Sequence, residues 1–68
     1  MARLQFDEGA RFYDEENDRE VIIRRYNFGY YDCLCVESVV TNDGFKTTRM
    51  YTLGFYRREL ERMRRISK

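Results

Sequence analysis

The sequence of 68 residues contains no histidine, no tryptophan and no proline, and it has only two cysteines and four glycines. Two cysteines without a histidine cannot supply the four ligands of a structural zinc site within one chain. The missing histidine also removes the usual general base of an activated serine or cysteine nucleophile. We therefore expect no metal site, no catalytic site and no cofactor.

The sequence also lacks the apolar segments of membrane and secreted proteins. No run of 18 apolar residues occurs, so no membrane-spanning helix is predicted. The first seven residues, Met1–Asp7, lack the apolar centre of a secretion signal. Cys33 and Cys35 are two apart in a predicted strand, where neighbours about 6.5 Å apart on one face are poorly placed for a mutual disulfide. These features predict a cytoplasmic protein.

Two partial motifs do not satisfy the patterns that they resemble. Asp14, Glu16 and Asp18 alternate like calcium ligands. Arginines occupy the positions where an EF-hand needs its glycine and its closing glutamate, which are residues 19 and 25. The segment Gly44-Phe45-Lys46-Thr47 lacks the glycine directly before lysine that a phosphate-binding loop requires. The sequence therefore predicts a protein that is not an enzyme.

The residues that are present favour one small folded domain. Aromatic residues make up 16% of the chain and charged residues 37%. Disordered chains are poor in aromatics, so this sequence is expected to fold. We assign one domain to residues 1–68, and a chain of this length buries only about 60% of the surface that its unfolded form exposes. A partner could therefore contribute to its stability.

Three segments have the β-branched and aromatic residues that are typical of strands. They are residues 20–26, 30–40 and 45–51. Turns are predicted between them at Asn27-Phe28-Gly29 and at Asn42-Asp43-Gly44, because asparagine and glycine tolerate positive φ and Asp-Gly is a hairpin signature. Residues 14–19 are polar throughout and predict a surface loop.

A C-terminal helix is predicted over about residues 52–66. Thr52 is its predicted N-cap, since a threonine hydroxyl can accept a hydrogen bond from a free backbone N–H. Four apolar residues recur at spacings of three and four, which is typical of one helix face. They are Leu53, Tyr56, Leu60 and Met63. The predicted class is α+β, with a small antiparallel sheet or an SH3-like partly closed barrel of three to five strands and this one amphipathic helix.

Charge is unevenly distributed along a chain whose net charge is +1. Residues 7–20 contain seven acids and two arginines, whereas residues 57–68 contain six bases and two acids. One interpretation is that the two ends attract each other within a molecule or between two copies. The other is that the basic end binds an anionic partner.

A non-enzymatic binding module that acts through protein–protein contact or self-association is the first functional prediction. The aromatic content exceeds what a small interior needs, and tyrosine and arginine are enriched at interface hot spots. The alternative is a small nucleic-acid-binding domain, in which aromatics stack on bases while cations contact phosphates. The residues predicted to contact the partner are Arg24, Arg25, Tyr26, Tyr30, Tyr31, Lys46, Arg49, Arg58, Arg62 and Arg65.

Four short segments form a compact pattern that covers most of the chain. They are Arg11-Phe12-Tyr13-Asp14 before an acidic turn, Glu20-Val21-Ile22-Ile23, the Asp43-Gly44 hairpin, and Phe55-Tyr56-Arg57-Arg58-Glu59-Leu60. In this pattern the chain resembles the small accessory proteins of bacteriophages and prophages. The resemblance assigns no role to any residue. It implies a non-enzymatic role, either inhibiting a host or defence protein or assisting transcription or replication.

Overall fold

The computed structural model describes residues 6–67 and shows an open antiparallel sheet of five strands with one short helix. The elements are β1 (Arg11–Asp14), β2 (Arg19–Asn27), β3 (Tyr30–Val40), β4 (Lys46–Phe55), α1 (Arg57–Glu61) and β5 (Arg64–Ser67). The strand order is β4-β3-β2-β1-β5. The first four strands therefore form a meander, and β5 returns to pair with β1. Within this part of the chain, no helix is long and apolar enough to cross a membrane.

The predicted strands and turns are confirmed. Residues 20–26, 30–40 and 45–51 lie almost entirely in β2, β3 and β4. The turn between β2 and β3 places Phe28 and Gly29 at φ values of 45° and 105°, which is the arrangement that matches the twist of a two-residue hairpin. The predicted polar loop is the turn between β1 and β2.

The predicted α+β class with a C-terminal helix over residues 52–66 is wrong. Residues 52–55 continue β4, where they pair with Leu34, Cys33, Asp32 and Tyr31 of β3. Only five residues form α1, and residues 64–67 form a strand that pairs with β1. The barrel alternative is also wrong, because the sheet is open with β4 and β5 at its two edges.

The N-cap of the helix is Tyr56, four residues after the predicted N-cap Thr52. The Glu59 carboxylate accepts a hydrogen bond of 2.7 Å from the Tyr56 backbone N–H. Glycine disfavours a helix interior by about 1 kcal/mol relative to alanine, and Gly54 lies within the predicted span. In the sheet, a Cβ at Gly54 would lie 2.7 Å from Cδ2 of the Tyr30 ring. The absence of a side chain at this position therefore lets an aromatic ring cover the strand.

The core lies on one face of the sheet. Strand alternation in β2 and β3 points every second side chain toward this face. The buried hydrophobic residues are Ala10, Phe12, Val21, Ile23, Tyr31, Cys33, Cys35, Phe55 and Leu60. Phe6 packs at the margin of this cluster, with its ring 5.2 Å from that of Phe12. The opposite face, which we call the outer face, carries the half-buried side chains of Ile22, Leu34 and Val36.

Both cysteines belong to the core, and we expect neither to react with a thiol reagent while the protein is folded. Burial, followed by the charges of Cys35 and Asp32, raises the pKa of the Cys33 thiol to about 12. Burial also raises the pKa of Cys35, although the nearby Arg19 opposes this shift. The thiolate is the reactive form, so labelling with a maleimide at mildly alkaline pH should be absent in the native state. Both residues should react in guanidinium chloride, and native labelling faster than unfolding would contradict this prediction.

Candidate binding surfaces

Three exposed aromatic residues lie at the turn between β2 and β3, and we call this end of the sheet the aromatic tip. It comprises Tyr26, Phe28 and Tyr30, flanked by Arg24 and Arg25. Phe28 is 97% exposed, Tyr26 46% and Tyr30 36%. A positive φ is rare for a bulky residue, yet Phe28 adopts one because the turn requires it. The turn therefore holds a large apolar ring entirely in solvent at its apex.

The side chains around Phe28 are held in place by neighbours within the sheet. The Tyr26 ring lies 4.9 Å from the Tyr31 ring. Asn27 Nδ2 donates a hydrogen bond of 3.1 Å to the Tyr30 hydroxyl, and the Tyr30 ring covers Gly54. The two flanking tyrosines are therefore ordered before any partner binds, which reduces the entropy lost on binding.

A β-bulge decides which face each residue of the aromatic tip occupies. The register between β2 and β3 shifts between Ile23 and Arg25, so Arg25 pairs with Asp32 and Tyr26 with Tyr31. Without the extra residue, the alternation after Ile23 would place Tyr26 on the outer face. The bulge thus turns Tyr26 toward the core face, and it leaves Arg24 exposed.

The structure brings only part of the predicted contact set together. Arg24, Arg25, Tyr26 and Tyr30 share the aromatic tip, but Tyr31 is buried in the core. Its hydroxyl accepts a hydrogen bond of 3.3 Å from the Phe6 backbone N–H. Tyr31 therefore packs against Tyr26 from within the core and is not part of the exposed surface of the aromatic tip.

The two predicted cations of β4 lie far from the aromatic tip. Lys46 pairs with Val40 at the end of β3 that is remote from Tyr30. This separation is ten residues along β3, or roughly 33 Å at about 3.3 Å per residue. Arg49 pairs with Glu37, and Arg49 Nη2 lies 2.6 Å from Glu37 Oε2. One compact ligand surface cannot include both regions.

The three remaining predicted arginines lie on the helical side of the sheet. Arg58 belongs to α1, Arg62 is its C-cap, and Arg65 belongs to β5. The Arg65 guanidinium lies 5.1 Å from the Phe12 ring centroid and 5.7 Å from that of Phe6. This arginine therefore contributes to packing over the core margin.

Many arginines are neutralised by acids of the same chain. Six ion pairs occur within residues 6–67. They are Arg11–Glu20, Arg19–Asp14, Arg25–Asp32, Arg49–Glu37, Arg57–Glu61 and Arg64–Glu15. The last pair joins the acidic segment to the basic C-terminal segment at 3.1 Å. This contact supports the interpretation that the two ends attract each other within one molecule.

A groove of about 390 Å³ separates the turn between β1 and β2 from α1 and the start of β5. Asp14 lies in its wall, where it accepts hydrogen bonds from Asn17 Nδ2 at 3.0 Å and from Arg19 Nε at 2.8 Å. Arg19 also donates to the Tyr51 hydroxyl at 3.0 Å. Burial alone would raise the pKa of Asp14, but these two hydrogen bonds and the Arg19 charge outweigh it and lower that pKa. In this wall of the groove, Asp14 is therefore bonded to both Asn17 and Arg19.

Phe28 is the residue of the aromatic tip that the predicted contact set omits. Its signal in the sequence is an aromatic side chain directly between Asn27 and Gly29, at a position that hairpins usually give to asparagine, aspartate or glycine.

Comparisons with protein-family models, with curated proteins and with solved structures find no match. The resemblance to phage accessory proteins therefore stays a prediction from the sequence.

Proposed function

We propose that this protein is a non-enzymatic, cytoplasmic binding module that contacts a partner protein through the aromatic tip. The observation that carries this proposal is the almost complete exposure of Phe28 at the apex of an ordered hairpin. Burying such a side chain contributes about 1.5 to 3 kcal/mol. An accessory or inhibitor role, of the kind implied by the phage resemblance, would use a surface of this type.

The composition of the aromatic tip favours a protein partner. Protein interfaces have an apolar, aromatic centre surrounded by a polar rim, and arginine is enriched in them. Phe28 supplies the apolar centre at the apex, with Tyr26 on the core face of the hairpin and Tyr30 on its outer face. Because Arg25 Nε lies 3.2 Å from Asp32 Oδ2, its charge is shared with an acid of the same surface.

Nucleic-acid binding has weaker support. A groove that follows a phosphate backbone needs a continuous run of cations. The predicted cations are instead divided between the aromatic tip, the far end of β4 and the helical side of the sheet. Arg25 and Arg49 also form ion pairs within the chain.

Site-specific photo-crosslinking tests the proposal directly. A photoreactive phenylalanine analogue is placed at position 28, and the protein is irradiated in the cell that naturally produces it. We expect one defined protein adduct, which mass spectrometry identifies. The matched control places the analogue at Phe45, which is 70% exposed in the turn between β3 and β4. Adducts that are the same at both positions, or that contain only nucleic acid, would contradict the proposal.

Replacement of Phe28 by alanine should weaken binding to the identified protein by about 30-fold, the effect of losing a hot spot of about 2 kcal/mol. Titration calorimetry measures the dissociation constant. The free energy of unfolding should change by no more than about 0.5 kcal/mol, because the ring contacts solvent in the free protein.

Wild-type protein and a labelled single-stranded oligonucleotide should show no salt-sensitive complex by fluorescence anisotropy. Steep loss of such a complex with rising salt would favour nucleic acid as the partner.

A further inference from the structure

Strand β4 forms a long and regular edge of the sheet. It pairs with β3 through ten consecutive residues without a register shift. Eight of its ten residues are exposed, and only Phe55 is buried. Edge strands with this length and regularity present free backbone donors and acceptors to an added strand.

The opposite edge has the features that prevent strand addition. Strand β5 has four residues, among them Arg64 and Arg65, and its register with β1 shifts between Arg11 and Phe12. Short length, charge and irregularity are the usual protections of an edge. Strand β4 also has two cations, Lys46 and Arg49, but it has ten residues and lacks proline and bulges, so the two edges differ in length and regularity.

The distal half of β4 also has little support within one chain. The pairing of β2 with β3 reaches only to Val36. Beyond it, residues 37–40 and 46–49 form a two-stranded ribbon. Two strands alone are marginally stable in water. A third strand along β4 would convert this ribbon into part of a sheet.

We propose that β4 pairs in antiparallel orientation with β4 of a second copy of this chain, around a two-fold axis that passes beside Met50. The product is a dimer with one continuous sheet of ten strands. Two-fold dimers are the most common assemblies of small proteins. The dimer uses the edge of β4, which meets the aromatic tip only where the Tyr30 ring covers Gly54, and it does not depend on the function proposed for that tip.

The side chains of β4 suit this register. A two-fold axis perpendicular to the sheet places residues of the same face opposite each other, so the residue on the axis faces its own copy. An axis at Arg49 would oppose two like charges, which is unfavourable. An axis at Met50 places Arg49 opposite Tyr51 of the partner subunit and Lys46 opposite Gly54 of the partner subunit, with no like charges opposed.

The exposure of Met50 and two contacts within the chain favour Met50 over its neighbours as the central residue. Met50 is 62% exposed and is the most exposed apolar side chain of β4. It pairs with the half-buried Val36 on the outer face, so pairing Met50 with its copy would join two apolar rows. The Arg49 guanidinium already lies 5.6 Å from its own Tyr51 ring, and the same cation–aromatic contact would form across the interface.

A charge exchange at Met50 tests both the dimer and its register. The variants Met50→Glu and Met50→Lys each place like charges opposite each other at the axis, whereas an equimolar mixture places opposite charges there. We expect wild-type protein to dimerise and each variant alone to dissociate at least about tenfold more readily, which corresponds to 1.4 kcal/mol. The mixture should recover the dimer. Sedimentation velocity over a range of concentrations measures the mass.

Matched variants on the other edge provide the control. Ile66 is exposed on β5, so Ile66→Glu and Ile66→Lys should leave the dimer unchanged, as should Phe28→Ala. A wild-type protein that is monomeric at every concentration overturns the proposal. So does a dimer that persists in both Met50 variants, or a mixture that stays monomeric.

Amide hydrogen exchange on the wild-type protein gives a second test that needs no substitution. Residues 46–54 should exchange more slowly as protein concentration rises, while residues 24–30 of the aromatic tip should not change. Exchange in β4 that is independent of concentration overturns the proposal. Because the tip and the edge are measured separately, failure of the dimer is distinguishable from failure of the proposed partner contact.

Discussion

Replacement of Leu60 by alanine is expected to lower the free energy of unfolding by about 2 to 5 kcal/mol, the range found for large-to-small substitutions in well-packed cores. Leu60 has no exposed surface and is the one buried residue of α1. A helix of five residues has almost no stability of its own. Its position therefore depends on the contact between Leu60 and the core, and a cavity there would also loosen the connection to β5.

Urea denaturation at one fixed protein concentration measures this effect, because dimerisation would make stability depend on concentration. Leu53→Ala is the matched control: the same side chain is removed from β4, where Leu53 is 39% exposed. Its cost should be clearly smaller than that of Leu60→Ala. Leu60→Met nearly conserves volume and should cost less than about 1.5 kcal/mol. A loss from Leu60→Ala that is no larger than the loss from Leu53→Ala would contradict this prediction.

The strands were predictable because their evidence is local. The β-branched run Val21-Ile22-Ile23 and the turns at residues 27–29 and 42–44 each have a backbone preference that agrees with the final fold. The structure confirms them as β2, β3 and the two hairpins. Alternation also places Cys33 and Cys35 together on the core face.

The end of the chain was not predictable in the same way, since its structure depends on distant partners. Leu53, Tyr56 and Leu60 have helical spacing, but residues 52–55 gain backbone hydrogen bonds by continuing along β3. Residues 64–67 likewise pair with β1, more than 50 positions earlier in the chain. Such pairing overrides local propensity, and no residue pattern within 52–66 reports it.

The candidate surface was predictable only where its residues are close to one another in sequence. Arg24, Arg25, Tyr26 and Tyr30 are close in sequence and remain close in the hairpin. Their division between two faces depends on the bulge after Ile23, which alternation alone does not indicate. Lys46 and Arg49 lie on the next predicted strand, but the length of β3 separates them from the aromatic tip.

Removal of either partner of the Asp14–Arg19 ion pair is expected to cost about 3 kcal/mol of unfolding free energy, because it leaves an uncompensated charge away from water. The side chains are only 9% and 14% exposed, with Arg19 Nε 2.8 Å from Asp14 Oδ2. Arg19 also donates to Tyr51, and its guanidinium lies 5.5 Å from the Phe55 ring centroid. Arg19→Lys should therefore recover only part of the stability, since lysine lacks the planar fork that makes these contacts.

A double-mutant cycle with Asp14→Ala and Arg19→Ala separates the pair from its surroundings. The double variant should lose less than the sum of the two single losses, because it leaves neither charge unpaired. Strict additivity would show that the two side chains do not stabilise each other. The exposed pair Arg57–Glu61 is the matched control, and its cycle should give a coupling of only about 0.3 to 0.5 kcal/mol.

The Asp14–Arg19 ion pair also predicts how the free energy of unfolding depends on pH in the acidic range. The pKa of Asp14 is lowered in the folded protein from its ordinary value of 3.8, so the ionised carboxylate contributes stability that is fully present above that value. This contribution is lost as pH falls through the lower, folded pKa, because the unfolded chain takes up the proton first. Asp14→Asn removes the titrating group, and its unfolding free energy should fall less steeply than that of the wild type over this acidic range. Parallel curves from urea denaturation would show that Asp14 is not a source of the acid sensitivity.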